Sequence, residues 1–254
     1  MRHKPLLFIL AAVFIFGLGA REAEFAAGSI AAGEDAARIT NYWQGGFSTS
    51  WGGGINWSLG HVPLATENVY IDSGLSRYPT ISSTGNYSCN SVYMEGGTSL
   101  NIQGTLSVTY DLTCYGHLYL NNELADLNIG DDLNFQSGSE LTIPYPGADI
   151  NISDDLLCNT GCDVDPDYGD FKFTGPASNI VPNVNIALYN LYIDSPDCRR
   201  DTGSGRLDVK GNFTVYASRS FISSVGVYSI FYGSVWTGSS AVFKFNDGTA
   251  VFGG

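Results

Sequence analysis

Basic side chains are scarce in this chain: 12 Lys and Arg stand against 25 Asp and Glu in 254 residues, a formal net charge of −13. Such a field repels phosphate backbones and anionic lipid surfaces, so nucleic acid is excluded as a partner. Charge of either sign is thin, at 15% of residues, while 44% are hydrophobic and 13% aromatic, which excludes a disordered chain. There are only three histidines and no C-x-x-C pair, so a structural zinc site has few ligands to draw on. A G-x-S-x-G elbow, a P-loop and a dinucleotide fingerprint are all missing, which leaves serine hydrolysis and nucleotide binding without an anchor. No helical period is sustained anywhere. The five cysteines, Cys89, Cys114, Cys158, Cys162 and Cys198, allow at most two bridges. Their pairing stays open; Cys158 and Cys162 are nearest in sequence, and small buried apolar residues are an equal reading.

Long hydrophobic runs are absent after the first. Residues 1–20 carry Arg2 and Lys4, the apolar stretch from Leu6 to Gly19 and the small residues Gly19 and Ala20, which together read as a secretory signal peptide. The stretch is shorter than the roughly 20 residues a membrane-spanning helix needs. A secreted or cell-surface product with no membrane span after cleavage is expected. Residues 21–40, rich in Ala, Glu and Gly, read as a linker or short helix.

What is abundant is glycine, 31 residues, and with it short apolar-x-apolar triplets. Leu106-x-Val108-x-x-Asp111-Leu112-x-Cys114 recurs as Leu127-x-Ile129-x-x-Asp132-Leu133-x-Phe135 and as Ile150-x-Ile152-x-x-Asp155-Leu156-x-Cys158. Leu207-x-Val209-x-x-Asn212-Phe213-x-Val215 reads as a fourth copy. A further triplet, Leu118-x-Leu120 or Leu141-x-Ile143, lies between copies. A repeat of 20–23 residues with three short strands implies an all-β parallel β-helix, each triplet pointing two side chains inward and one outward. Residues 86–254 leave room for roughly seven coils, with an irregular insertion near 163–200, where the spacing breaks and the solenoid either tolerates a loop or changes its cross-section. The chain reaches Gly253-Gly254 in what reads as mid-repeat, so a fragment of a longer protein is expected.

Asp111, Asp132, Asp155 and Asn212 each precede a strand, where a short acceptor can hold a backbone N–H at a tight corner. Stacked one coil apart and joined by Asp131 and Asp154, they also suggest calcium ligands. A second calcium candidate is the alternating series Asp163, Asp165, Asp167 and Asp170, which lacks the glycine and glutamate of a full calcium loop.

Residues 41–85 hold three of the four tryptophans, Trp43, Trp51 and Trp57, and read as a cap over an open solenoid end. The same rings are candidate sugar-stacking residues. The outward tyrosines Tyr93, Tyr119 and Tyr192, with Asn128, Thr142 and Asn151, read either as a recognition surface or as residues that simply favour strands. The series W-x-G-G, N-W, V-P, N-V-x-I and P-x-I, followed by Cys89-Asn90-Ser91-Val92 and stacked triplets, resembles the N-terminal part of secreted right-handed parallel β-helix surface (adhesin-like) proteins of Bacteroidetes-type bacteria. The resemblance covers residues 41 to about 160 and implies export and a surface location more firmly than an activity.

Asp72-Ser73-Gly74 and Asp201-Thr202-Gly203 imitate the paired motif of aspartic proteases, but the second follows Arg199-Arg200 rather than an apolar strand. A β-helix groove also suits a polysaccharide lyase or glycosidase working through paired carboxylates or an arginine base. No residue set converges on such a site, and Arg199, Arg200 and Arg206 are the only clustered bases. The expectation is a non-catalytic surface-structure or adhesion module contacting a glycan or a surface protein, with the carbohydrate-active enzyme as the alternative.

Overall fold

The computed structural model describes residues 39–246 and 249–253. The expected signal peptide and nearly all of the 21–40 segment lie outside them. From Thr40 onward the chain winds into a parallel β-solenoid of about eight turns. Among the described residues the only helical piece is one 3-10 turn, Gly54–Asn56.

Three faces build each turn. The first is a ten-stranded sheet running from Thr40–Trp43 to Val242–Phe245, the second an eight-stranded sheet from Asn86–Cys89 to Val235–Thr237. The third consists of two sheets in succession, five strands ending at Asp163–Val164 and then four beginning at Ile186–Leu188. The triplet pattern explains why: a strand alternates its side chains, so one face of each triplet can pack inside. Parallel pairing then sets equivalent residues over one another. On the second face Leu106, Leu127, Ile150, Phe171, Leu191 and Phe213 occupy one register line. All six are fully buried. Leu112, Leu133, Leu156 and Ile180 do the same on the first face.

The corner aspartates do bond backbone N–H groups, but those of the next coil. Asp111 Oδ1 accepts from the Asp132 N–H at 3.2 Å, and Asp132 Oδ1 from the Asp155 N–H at 3.1 Å. Asp155 Oδ1 accepts from the N–H of Asn179 at 2.7 Å. Each carboxylate therefore ties one winding to the next.

The tryptophan cluster lies at the N-terminal end of the solenoid, where Thr40–Trp43 and Asn68–Ile71 already belong to the parallel ladder. Two sequence expectations change. Residues 163–200 hold no insertion: Asp170–Phe173, Ser178–Pro182 and Asn190–Ile193 continue the ladders. What changes there is the cross-section, since the third face passes from one sheet to another. In consequence Leu207-x-Val209 lies on the third face and Phe213-x-Val215 on the second, one face out of phase with the three true copies. Asn212 thus sits at a different corner, where its N–H is held by Asn190 Oδ1 at 2.7 Å.

Beyond this shift an arginine enters the interior. Arg200 follows Leu156 and Ile180 in an inward row and is fully buried. Its guanidinium donates to the Asp201 carbonyl and, at 2.7 Å, to that of Gly205, while burial pushes its pKa down to about 10.

Trp43, Trp51 and Trp57 are at most 1% exposed and pack edge to face, with centroids 4.9 Å (Trp43–Trp57) and 4.8 Å (Trp51–Trp57) apart. Trp57 Nε1 donates to the Trp51 carbonyl at 2.7 Å. Trp57→Ala is expected to cost about 3–5 kcal/mol of unfolding free energy through the cavity it leaves. Chemical denaturation monitored by the remaining tryptophan fluorescence measures this; a loss below about 1 kcal/mol would show that the cluster does not hold the first turns together.

Candidate functional site

The outward positions of the second face are free of core duty, and here the polar residues collect. Ser107, Asn128 and Asn151 are register neighbours, and Lys172, Tyr192, Thr214 and Trp236 continue the same line. Beside the first three runs a shallow open groove of about 470 Å³, bordered on its far side by Thr109, Gly130, Ser153 and Thr174. Gly130 is required by close approach, because a Cβ there would stand 2.1 Å from the Thr109 carbonyl oxygen.

The amides are locked in place. Asn151 Nδ2 donates to Asn128 Oδ1 at 3.0 Å and to Asp126 Oδ1 at 3.1 Å, and Asn128 Nδ2 donates to Asp126 Oδ2 at 3.2 Å. Further along the line the surface turns aromatic: Tyr192 and Tyr216 stack at 6.4 Å, Lys172 Nζ lies 5.8 Å from the Tyr216 centroid, and the Trp236 ring is 54% exposed. Hydroxyls and fixed amides followed by exposed rings can bind a polyol chain laid along the axis.

An acidic corner adjoins the groove, since Gly130 and Ser153 run directly into Asp131-Asp132 and Asp154-Asp155. Carboxylate oxygens of Asp131, Asp132 and Asp154 all lie within 4.8 Å of one another. Burial pushes the Asp132 carboxyl up to about 7, opposed by its hydrogen bond from the Asp155 N–H and reinforced by the charges of Asp155, Asp111 and Asp131. Asp154 rises to about 6, again chiefly through burial, then through the charges of Asp155 and Asp131. These three are the residues that could hold a cation, each through one oxygen.

The other sequence candidates are dispersed. Asp163 lies on the third face opposite Glu140, Asp165 is ion-paired with Lys210, Asp167 is exposed, and Asp170 accepts from Asn190 Nδ2 at 2.7 Å on the second face. No three of these four bring ligand oxygens together among the described residues. The alternating spacing fails because Asp163 and Asp170 belong to strands on different faces. Tyr93, Tyr119 and Tyr192 likewise sit on the first, third and second faces, so they form no common platform. Tyr93 stacks on Tyr70 at 4.9 Å and has Tyr115 at 5.6 Å. The buried Trp43, Trp51 and Trp57 present no ring face to a sugar.

Asp72 and Asp201 follow first-face strands six coils apart, roughly 29 Å at the usual strand spacing, and cannot share a proton. Arg199 binds Asp197 at 2.9 Å and Arg206 binds Asp208 at 2.6 Å, while Arg200 points inside, so the three bases do not converge. Sequence reading missed Trp236 and Lys172. Trp236 is flanked by Val235 and Thr237, which breaks the apolar triplet that marks outward positions elsewhere.

The raised carboxyls carry a definite pH dependence. A folded pKa above the unfolded value of about 3.9 means that the native state holds protons the unfolded chain has released, so stability falls as pH rises through that window. The melting temperature is expected to drop between about pH 4 and pH 7, and Asp132→Asn, which keeps the acceptor for the Asp155 N–H, should flatten that drop. A melt as steep in the variant as in the parent would refute this.

No helix among the described residues is long and apolar enough to cross a membrane. The chain matches no protein-family model, no curated protein and no solved structure, so the chemistry of the groove and its acidic corner carries the functional reading.

Proposed function

We propose that this chain is a non-catalytic β-helix module of a secreted or cell-surface protein, acting in surface structure or adhesion, and that it holds an extended glycan along the second face. The observation that carries this reading is the register line from Ser107 to Trp236. Polar groups recur once per coil, at about 4.8 Å, a step close to the length of a sugar residue in a chain, and the half-buried Tyr192 and the exposed Trp236 lie further along the same line. The amides are pre-ordered by one another, so little side-chain freedom is lost on binding. The apolar leader of residues 1–20 supports export, and the low count of basic residues argues against nucleic acid.

One feature favours a second reading, a carbohydrate-active enzyme. Asp132, raised to about 7 chiefly by burial, is able to keep a proton near neutral pH, and a carboxyl that holds its proton beside a second carboxyl is an arrangement that glycoside hydrolysis uses. The corner lies at the edge of the same groove.

Affinity electrophoresis of the purified protein against a panel of soluble polysaccharides tests the first reading. Retardation is expected with at least one linear glycan, weakened roughly three- to tenfold by Trp236→Ala if the ring contributes an ordinary stacking interaction. Absence of retardation across the panel, or retardation indifferent to both Trp236→Ala and Asn151→Ala, would contradict the binding face. Reducing-end and unsaturated-product assays on the same panel decide the second reading: turnover lost in Asp132→Asn would make the chain an enzyme.

A further inference from the structure

A second cleft, on the third face near the first turns, has a different chemistry. It encloses about 370 Å³, and its lining includes Arg77, Tyr78, Thr80, Asn101, Tyr119 and Asn121, with no carboxylate among the lining residues. Thr80, Asn101 and Tyr119 are register neighbours, so the solenoid itself lays out its floor. Asn101 Oδ1 is buried there with no hydrogen-bond partner. Such an acceptor gains from a donor that a ligand hydroxyl would supply. Tyr119 is backed by His117, whose ring stacks on it at 3.6 Å and is itself engaged by Thr142 at 2.8 Å. Glu140, the carboxylate beside this pair, is 3.3 Å from His117 Nε2.

Arg77 is the unusual member. Elsewhere the exposed cations are matched: Lys172 and Arg219 with Asp194, Arg199 with Asp197, Arg206 with Asp208, Lys210 with Asp165. Among the described residues only Arg77 and Lys244 are exposed without a carboxylate within 4.0 Å, and of the two only Arg77 lines the cleft. Its guanidinium reaches no closer than 3.5 Å to the carbonyls of Gly45 and Gly46. Its backbone is fixed, because its own carbonyl accepts from Trp43 Nε1 at 2.8 Å. Gly45, with φ +57°, allows this approach: a Cβ there would stand 2.4 Å from the Arg77 oxygen. The buried tryptophan cluster thus presents one unmatched arginine at the rim of a hydroxyl- and amide-lined cleft.

We infer that this cleft binds an anionic saccharide, its carboxylate or sulfate group on Arg77 and its hydroxyls on Asn101 and the neighbouring amide and hydroxyl groups. A planar guanidinium suits either anion through paired N–H donors. The net charge of −13 opposes anions in general, so binding depends on this local contact. The site is separate from the second-face groove and does not rest on it.

Calorimetric titration with three trisaccharides tests the inference: an oligouronate, a sulfated trisaccharide and a neutral trisaccharide of matched linkage. At least one anionic ligand is expected to bind roughly tenfold or more tighter than the neutral one, and which of the two does so identifies the anion. Arg77→Met should erase the preference, Arg77→Lys should keep part of it, and Lys244→Met, which removes an equal charge away from the cleft, should leave it unchanged. Equal binding of anionic and neutral ligands, or a preference that survives Arg77→Met, would overturn the inference. So would the absence of binding by either anionic ligand.

Discussion

The structure depends on in-register stacking of one winding on the next. A single turn of three short strands has an apolar inner side too small to close on itself, and its strand edges carry unpaired N–H and C=O groups. Parallel pairing removes both costs at once. It joins the backbones and sets Leu on Ile on Phe along each inner line, as from Leu106 to Phe213. Stability is then shared between neighbours, which makes the ends and the changes of cross-section the places where special residues are needed. Three buried tryptophans serve the first turns. Past the shift of the third face, Arg200 fills an inward position and donates to the carbonyls of Asp201 and Gly205 in the loop that follows it.

The same constraint writes the surface. Any outward residue has a register neighbour about 4.8 Å away in the next coil, and in places side chains of like type meet. Where they are amides, as at Asn128 and Asn151, they bond each other and become a fixed floor. Where they are carboxylates they repel. The chain offsets that repulsion by giving the Asp111, Asp132 and Asp155 oxygens backbone N–H groups from the following coil, while burial first, and the neighbouring carboxylates second, raise the pKa values of Asp132 and Asp154. A groove of neutral hydrogen-bonding groups beside carboxyls raised by burial is thus a consequence of winding, and it is this repeat that the proposed linear glycan would match.

Much of this was legible in the residues. The triplets and the 20–23-residue spacing specify a parallel β-helix, because alternation and recurrence are properties of the chain itself. The corner aspartates were legible as backbone acceptors, although the donor belongs to the next coil, which no local reading of a turn reveals. The phase error at Leu207-x-Val209 has a similar origin: a strand can slide to another sheet while its pattern stays the same. Arg200 was read as part of a basic cluster because an arginine in a strand ordinarily faces water. The candidate tyrosines were rightly placed outward, yet their assignment to three different faces needed the strand count. The cleft around Arg77 joins Thr49, residues 76–80 and later coils, a juxtaposition that only the winding creates.

Spin labels on the second face test the stacking directly. With one label at residue 107 and a second at residue 192, 214 or 236, the pairs lie four, five and six coils apart. The native cysteines are buried and should not compete for label. Pulsed electron resonance is expected to give backbone separations of about 19, 24 and 29 Å, a constant increment per coil. Distances that fail to grow by one strand spacing per coil would contradict the solenoid and everything built on its outer face.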